Sequence, residues 1–290
     1  MFKTLSLVMV AMVAFAANSL LCRMALANTD IDPASFTALR LLSGALALSL
    51  LSLLSLRKSN WAGELSLWVN LKSNATLLGG VSLFLYALCF SYAYISISTG
   101  TGALLLFGAV QLTMITFGLA RGERFKPFQW LGFLLAFAGL VILLLPSASA
   151  PPLLAGITMV FAGIAWGVYS LLGKKSSAAL FATTGNFIYA SILCIPLVGF
   201  LLSLNSNELV FDNTGALLAL MSGIIASGCG YAIWYSVLPL IKSTTAATVQ
   251  LSVPVIATLM GWAVLEEQLN VQVVLASVMT LGGIYLVIKR

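Results

Sequence analysis

The residues of this sequence that could do chemistry are polar and aromatic side chains standing within long apolar runs. At such positions amides, hydroxyls and aromatic rings face a partner or water, because an unpaired polar group in hydrocarbon is costly. Their chemistry is binding, through hydrogen bonds and ring contacts. We predict that nine of them bind a small molecule: Asn18, Tyr86, Gln111, Trp166, Tyr169, Tyr231, Trp234, Thr248 and Gln250. The alternative is that they only join helices, at about 0.6 kcal/mol for each hydrogen bond.

Residues for catalysis or metal binding are scarce. The chain has no histidine, and Cys22, Cys89, Cys194 and Cys229 lack the CxxC spacing of metal and redox sites. Because an enzyme needs a positioned nucleophile, an acid/base pair or a metal, we predict no catalytic residue, no metal, no cofactor and no enzymatic activity. Two alternatives stay open: an intramembrane enzyme acting on lipid, and a structural or sensory protein whose cavity is too well filled to admit a solute.

Two arginines lie inside apolar runs. Arg23 lies about one turn from the end of its run and is expected to reach the lipid head groups. Arg40 lies deeper, about 9 Å from the end by helical rise. Two roles fit Arg40. It binds a substrate carboxylate, or, in the interpretation we favour, it is a structural anchor paired with Asp30, Asp32 or backbone carbonyls.

Three more residues are predicted to have gating or structural roles. Pro254 lies near the centre of its run, where a proline kinks a helix and frees a carbonyl, here near Gln250. Glu123 and Glu267 lie at the ends of matching runs, so neither is placed to exchange a proton for a solute at mid-depth. We expect Glu→Gln changes at these two positions to slow a conformational step while binding is retained.

The apolar runs define the architecture. Apolar residues make up 61% of the chain and charged residues 8%, which leaves too few polar side chains to cover a water-soluble surface. A helix needs about 20 apolar residues to cross a bilayer. We predict ten spans, at 4–27, 34–56, 75–95, 98–119, 128–145, 153–173, 180–202, 214–236, 243–264 and 271–288. The predicted fold class is therefore an all-α polytopic membrane protein embedded in the lipid bilayer.

The basic residues are distributed asymmetrically between these spans. Twelve of the 14 Lys and Arg residues lie at the two termini or in every second connection. Positive residues concentrate in cytoplasmic loops, so both termini are expected in the cytoplasm and the protein in the plasma or inner membrane. The net charge of +6 follows from this topology, and no nucleic-acid partner is predicted. The expected partner is a small-molecule substrate, and a homodimer is left open.

The two halves of the chain resemble each other. Five of the fourteen residues at 86–99 recur at 231–244, at a constant offset of 145. We predict repeats at 1–146 and 147–290, each with five spans, so that the second copy begins on the opposite face of the membrane. Such inverted repeats usually place a binding site between the copies near the midplane and open it alternately to each side. A secondary transporter is the predicted function.

Small residues at helical spacing predict close helix contacts. The sixth predicted span contains the pair Gly163 and Gly167. Two matching sets are Gly132, Ala136 and Gly139 in the fifth span and Ala276, Thr280 and Gly283 in the tenth.

The chain resembles the EamA family. Residues 249–287, with Pro254, LEEQL at 265–269 and LGG at 281–283, resemble the end of an EamA domain, and GERF at 122–125 resembles the same ending in the first copy. Pro33, Phe36, Leu39 and Arg40 are similar to the start of that domain's second helix. The sequence departs from the pattern where Val110 stands opposite Pro254, Asn186 stands opposite Arg40, and Glu266 replaces the usual glycine.

The resemblance covers nearly the whole chain as two tandem EamA domains of the drug/metabolite transporter superfamily. It implies ten transmembrane helices in two inverted five-helix repeats around a central cavity. It also implies export of small metabolites, often amino acids. It does not specify the substrate, because members with similar motifs carry different molecules.

Overall fold

A computed structural model describes residues 2–58, 67–120, 122, 124, 126–144, 150–173, 178–203, 209–237 and 249–288. Within these residues the chain is helical and contains no β-strand. The elements, in chain order, are α1 Phe2–Asn28, α2 Pro33–Lys58, α3 Leu67–Asn74, α4 Leu77–Tyr94, α5 Thr99–Ala120, α6 Pro127–Leu144, α7 Leu153–Gly173, α8 Ala179–Ser203, α9 Asn213–Met221, a π-helical segment Ser222–Cys229, α10 Gly230–Val237, α11 Ser252–Leu265 and α12 Val271–Ile288.

Seven helical stretches of the described chain are long and apolar enough to cross a membrane. They are α1, α2, α4, α5, α7, α8 and the continuous run Asn213–Trp234 that joins α9, the π segment and α10. Helices α6, α11 and α12 are also apolar but shorter. All of them fall at predicted spans. The protein is therefore an all-helical, multi-pass membrane protein, as the sequence predicts.

The first and second halves of the chain pack against each other rather than forming separate bodies. Helices α4 and α5 lie against α7, while α2 lies against α8 and the π segment. Helix α1 contacts α9, α10 and α11, and α6 runs along α12. The buried core consequently lies between the halves, and side chains from both reach its centre.

Small residues allow α6 and α12 to approach closely. A Cβ atom on Gly132 would lie 2.6 Å from the Gly283 carbonyl oxygen, and one on Gly139 would lie 3.0 Å from the Ala276 carbonyl oxygen. On α7, a Cβ on Gly163 would lie 2.6 Å from the backbone of α5. Distances below about 3 Å leave no space for a side chain, so the predicted close contacts are confirmed.

One end of the bundle collects the described acidic residues. We call it the acidic end, and it holds Asp30, Asp32, Asp212, Glu266 and Glu267. There Asp32 accepts hydrogen bonds from the backbone N–H groups of Ala34 and Ser35 at 2.9 Å and of Val210 at 3.0 Å. Asp212 caps α9 by accepting from Gly215 N–H. These carboxylates stabilise helix N-termini.

The turns that end α5 and α11 adopt similar backbone conformations. Gly122 has φ +91° and Glu266 has φ +54°, both in the left-handed region. A glycine adopts this region without steric cost, whereas another residue pays about 1–2 kcal/mol. The missing glycine in the second copy is thus replaced without a change of turn.

Pro254 lies in the first turn of α11 rather than at the centre of a helix. Residues 249–250 are helical, the chain turns at 251, and α11 begins at Ser252. A proline in the first turn breaks no intrahelical hydrogen bond, because those N–H groups have no partner within the helix. The helix is interrupted before the proline rather than kinked at it.

Candidate functional site

The centre of the bundle holds a small aromatic cavity. Helices α1, α4 and α5 of the first half and α7 and α10 of the second half supply its walls. The lining residues are Phe15, Asn18, Ser19, Tyr86, Phe90, Leu106, Phe107, Trp166 and Tyr231. The cavity volume open to the centre of a water molecule is about 10 Å³, which is room for about one water. The cavity is therefore too small to hold a metabolite.

Trp166 lies at the centre of the aromatic walls. Its ring centroid is 4.8 Å from those of Tyr86 and Tyr231, 5.3 Å from that of Tyr169 and 6.3 Å from that of Phe15. The side chain is only 6% exposed. Aromatic pairs at such spacings are favourable by about 0.5–1.5 kcal/mol beyond their buried area. The rings therefore hold the two halves together.

A hydrogen-bond network borders the aromatic walls. Asn18 donates from Nδ2 to the Tyr86 hydroxyl at 3.3 Å. Its Oδ1 accepts from Ser222 at 2.7 Å and from Ser227 at 3.4 Å. Arg40 donates from Nη2 to the Tyr86 hydroxyl at 3.1 Å and from Nε to Ser227 Oγ at 3.2 Å. The network thus ties α1, α2 and α4 to the π segment of the second half.

The π segment explains how both serines reach Asn18. In an α-helix, residues five apart project about 140° away from each other. The wider π turn, with its i→i+5 hydrogen bonds, brings them towards one face, and such turns are frequent at functional sites. Gly223 allows close contact with α2, because a Cβ there would lie within 3.1 Å of the Arg40 carbonyl carbon. The segment therefore presents Ser222 and Ser227 to the interior.

Arg40 is buried behind this wall and is not paired as predicted. The guanidinium carbon lies 5.2 Å from the Tyr86 ring centroid and 4.9 Å from that of Phe90. Its hydrogen bonds go to hydroxyls, whereas Asp32 caps α2. The predicted pairing of Arg40 with Asp30, Asp32 or backbone carbonyls is therefore wrong, whereas its role as a structural anchor stays a prediction. The second predicted role, a place for a substrate carboxylate, stays a prediction.

Arg23 is also held by contacts within the protein. Its Nη1 donates to the Tyr94 and Ile95 carbonyl oxygens at 2.8 and 2.7 Å. Its Nε lies 3.7 Å from Glu267 Oε1. Arg23 thus joins α1, the end of α4 and the turn after α11 at the acidic end, and its reach to the lipid head groups stays a prediction.

Glu267 receives several donors at this end. Both carboxylate oxygens lie 2.8 Å from Thr99 N, and Oε1 accepts from Thr99 Oγ1 at 3.0 Å. Thr99 is the first residue of α5, so a second-half carboxylate stabilises the N-terminus of a first-half helix. Gly261 has no side chain to collide with Glu267, since a Cβ there would lie within 3.1 Å of the carboxyl carbon.

The structure brings together some of the predicted binding residues and not others. Asn18, Tyr86, Trp166 and Tyr231 line the cavity. Tyr169 contacts the Trp166 ring, and Trp234 lies 5.9 Å from Phe15 between ring centroids. Gln111 and Gln250 are buried, but they do not line the central cavity. Thr248 and the predicted gating residue Glu123 lie outside the described residues.

Sequence reasoning missed several residues of the site, among them Phe15, Phe90, Leu106, Phe107, Ser222 and Ser227. The phenylalanines gave no signal, because an apolar ring inside an apolar run is unremarkable in composition. The two serines did leave a signal in the sequence. The stretch SGIIASG at 222–228 contains two Ser-Gly pairs five residues apart, which is the repeat of a π turn.

No metal centre is formed by the residues that the structure describes, since no cluster of three His, Cys, Asp or Glu side chains occurs among them. The four cysteines are free and lie within helices. The arrangement of the cavity favours non-covalent binding through aromatic surfaces, hydroxyls, an amide and one cation.

Comparison with known proteins identifies the family. A model of the EamA-like transporter family matches residues 2–145 and 153–289. The chain belongs to this family.

Relatives of this EamA protein extend over most of its length. An uncharacterized protein of Pseudomonas aeruginosa is 48% identical over 286 residues, which cover 99% of this chain and 94% of that protein. An uncharacterized transporter of Archaeoglobus fulgidus is 28% identical over 226 residues, 76% of this chain and 75% of its own. The uncharacterized transporter YoaV of Bacillus subtilis is 20% identical over 268 residues, 89% of this chain and 87% of its own.

A solved structure supports the fold of the EamA protein. A crystal structure with 17% sequence identity superimposes with a TM-score of 0.63 and covers 97% of this chain and 96% of that one. At this identity the likeness concerns the fold alone. The family match makes this protein a membrane transporter of the drug/metabolite superfamily.

Proposed function

We propose that this protein carries small metabolites across the membrane by alternating access through the central cavity, and that it exports amino acids or related compounds. The observation that carries the proposal is the composition of the cavity. Tyr86 and Phe90 on one side and Trp166 and Tyr231 on the other come from different halves of the chain. A relative movement of the halves therefore opens the site without disturbing either wall.

The proposed topology has ten transmembrane helices in two inverted five-helix repeats, at 1–146 and 147–290. Both termini lie in the cytoplasm, in the plasma or inner membrane. Two contacts between the halves support this arrangement. Asp32 meets Val210, and Glu267 meets Thr99, as expected if the α1–α2, α4–α5, α8–α9 and α11–α12 connections lie on one side. The loop and terminal basic residues then lie at the opposite end of the bundle, which we call the basic end, where the positive-inside bias places them.

Transport in this scheme requires the occluded cavity to expand. Space for one water must grow to hold a metabolite, so the rings around Trp166 separate when one end of the bundle opens. At the acidic end, the Arg23–Glu267–Thr99 contacts join the halves and close the path. Opening towards this side breaks them, whereas opening towards the basic end leaves them intact.

Solute flux through purified protein tests the proposal. Proteoliposomes are loaded with radiolabelled amino acids and other small metabolites, and release is followed with and without a pH gradient. We expect release of a subset of solutes above that of protein-free liposomes. Folded Trp166→Ala protein at the same density should release them at least about tenfold more slowly, a loss of about 1.4 kcal/mol of stabilisation. Equal release from all three preparations contradicts the proposal.

A structural or sensory role is the second candidate function. The tight filling of the cavity favours it, because space for one water admits no metabolite. The two candidates differ in the number of conformations. A transporter exposes Trp166 to water-soluble quenchers in part of its population, whereas a permanently filled core keeps this tryptophan shielded.

A further inference from the structure

Arg40 is a buried cation without a carboxylate partner among the residues that the structure describes. Its side chain is 1% exposed. Nε and Nη2 donate to the Ser227 and Tyr86 hydroxyls, whereas Nη1 has no hydrogen-bond partner in the described part of the chain. A guanidinium has five N–H donors and keeps its charge in proteins. Arg40 therefore retains both charge and an unused donor.

The surroundings hold this charge without neutralising it. Tyr86 and Phe90 present their rings to the guanidinium at 5.2 and 4.9 Å, and two hydroxyls accept its hydrogen bonds. Cation–π contacts and neutral hydroxyls offset part of the cost of burial. A built-in carboxylate would have cancelled the charge, as Glu267 does for Arg23 at the acidic end. The site is thus electropositive at the core.

The cation also lies directly behind the cavity wall. Tyr86 and Phe90 both line the cavity and both contact Arg40. The Tyr86 hydroxyl occupies Nη2, and Asn18 contributes an amide beside it. When Tyr86 moves aside, Nη2 and the unused Nη1 together offer the forked pair of donors that fits a carboxylate.

We propose that Arg40 is the anion subsite of the cavity and takes the carboxylate of the transported solute, whose apolar part lies against Trp166 and Tyr231. This inference rests on the proposed transport function and deepens it. The described carboxylates lie at the acidic end and not at the cavity. An ammonium group on the solute consequently has no carboxylate to pair with there, so the carboxylate contributes to affinity and the ammonium is not required.

Binding of matched ligands to the purified full-length protein tests the subsite. Isothermal titration compares phenylacetate, its neutral amide phenylacetamide, the zwitterion phenylalanine, and chloride. We expect the wild-type protein to bind phenylacetate and phenylalanine at least about tenfold more tightly than phenylacetamide, because hydrogen bonds between ions are the strong ones. Arg40→Gln should remove this preference, and Arg40→Lys should keep part of it, since Lys offers a charge without the fork.

A matched control changes an exposed arginine in the same way. Arg124 lies on the surface near the basic end, and Arg124→Gln should leave the preference for carboxylate within about twofold. If Arg40→Gln does not fold, Arg40→Lys and Tyr86→Phe provide the comparison. Tyr86→Phe removes the hydroxyl that competes for Nη2, so it should strengthen phenylacetate binding, and weaker binding contradicts the subsite.

Several results overturn the subsite. With the wild-type protein, they are equal binding of phenylacetamide and phenylacetate, binding of phenylalanine but not phenylacetate, or no binding of any carboxylate. Displacement of phenylacetate by chloride at equal concentration also overturns it. With folded Arg40→Gln, undiminished phenylacetate binding does the same. Transport is judged separately by flux. Carboxylate binding at Arg40 without flux contradicts the transporter, whereas flux of solutes without preference for a carboxylate contradicts the subsite alone.

Discussion

Arg23 and Glu267 form an ion pair between the two halves, with Nε and Oε1 3.7 Å apart. The residues are far apart in sequence, on α1 and in the turn after α11. Thr99 donates from its backbone N–H and its hydroxyl to the same carboxylate. A single glutamate therefore joins α1, α5 and the end of α11 at the acidic end. Any movement that separates the halves there must break these contacts.

Glu267→Gln should slow transport by about tenfold while leaving substrate binding and its pH dependence in place. Hydrogen bonds to a charged acceptor are worth about 1.5–3 kcal/mol, so loss of the charge weakens closure at the acidic end rather than the central cavity. Flux and equilibrium binding, measured on the same preparation, check this result. Glu266→Gln is the control, because Glu266 is next to Glu267 in the chain and its side chain is exposed. Loss of both binding and its pH dependence in Glu267→Gln would instead identify a coupling site.

Replacement of Trp166 should reduce transport more than replacement of a lipid-facing ring on the same helix. Trp166 is 6% exposed and contacts rings of both halves, whereas Phe161 is 60% exposed on α7. Core Trp→Ala changes cost about 3–5 kcal/mol of stability, so flux is normalised to folded protein in the membrane and Trp166→Phe is tested as well. Comparable flux in Trp166→Ala and Phe161→Ala would move the site elsewhere.

Gln250→Ala tests how far the binding region extends. Gln250 is 8% exposed but does not line the described cavity. This change should therefore lower the transport rate by a smaller factor than Trp166→Ala. Parallel flux measurements compare the two variants. An equal or larger effect at Gln250 would place the main contact outside the described cavity.

Gly132→Ala should destabilise the protein by about 1–3 kcal/mol, the usual cost of forcing atoms into a packed contact. The added Cβ would meet the Gly283 carbonyl oxygen at 2.6 Å, which pushes α6 away from α12. Thermal unfolding in detergent measures the change. Gly282→Ala is the matched control on α12, since a Cβ there has nothing within 4 Å. Equal stability of the two variants would show that the close approach of α6 and α12 is not needed.

Single cysteines report the orientation in the membrane. In a background without the four native cysteines, cysteines at Lys72 and Arg124 should resist an impermeant thiol reagent in intact cells, and one at Asp212 should react. The expectation follows from the distribution of basic residues. Reaction at Lys72 and Arg124 together with protection at Asp212 would invert the topology.

The sequence predicts well how deep a residue lies in the membrane, but not which neighbour its side chain faces. Span positions follow from length and hydropathy, because helices satisfy their backbone hydrogen bonds internally and must be about 20 residues long to cross a bilayer. Depth also indicated Trp166 and Tyr231. Depth could not tell that Gln111 and Gln250 do not line the cavity, since this depends on how each helix is rotated against its neighbours.

Partners across the two halves were equally hard to predict. Arg40 was expected to pair with nearby acids, yet Asp32 is used as a helix cap and the serine that Arg40 contacts comes from the π segment. Arg23 lies beside Glu267 from the other half, a partner that its position in the sequence does not indicate. Which residues become partners depends on the packing of segments that are distant in the sequence, and a single sequence does not reveal that packing.

Counterflow in proteoliposomes tests the central claim most directly, namely that one cavity between the halves is exposed alternately to each side. Vesicles loaded with unlabelled substrate are diluted into a trace of the labelled substrate, and uptake is followed over time. A carrier with a single alternating site should accumulate label transiently above equilibrium in the wild-type protein and in Phe161→Ala, but not in Trp166→Ala. Uptake that rises only to equilibrium in the wild-type protein, or that is unchanged by Trp166→Ala, would contradict alternating access through this cavity.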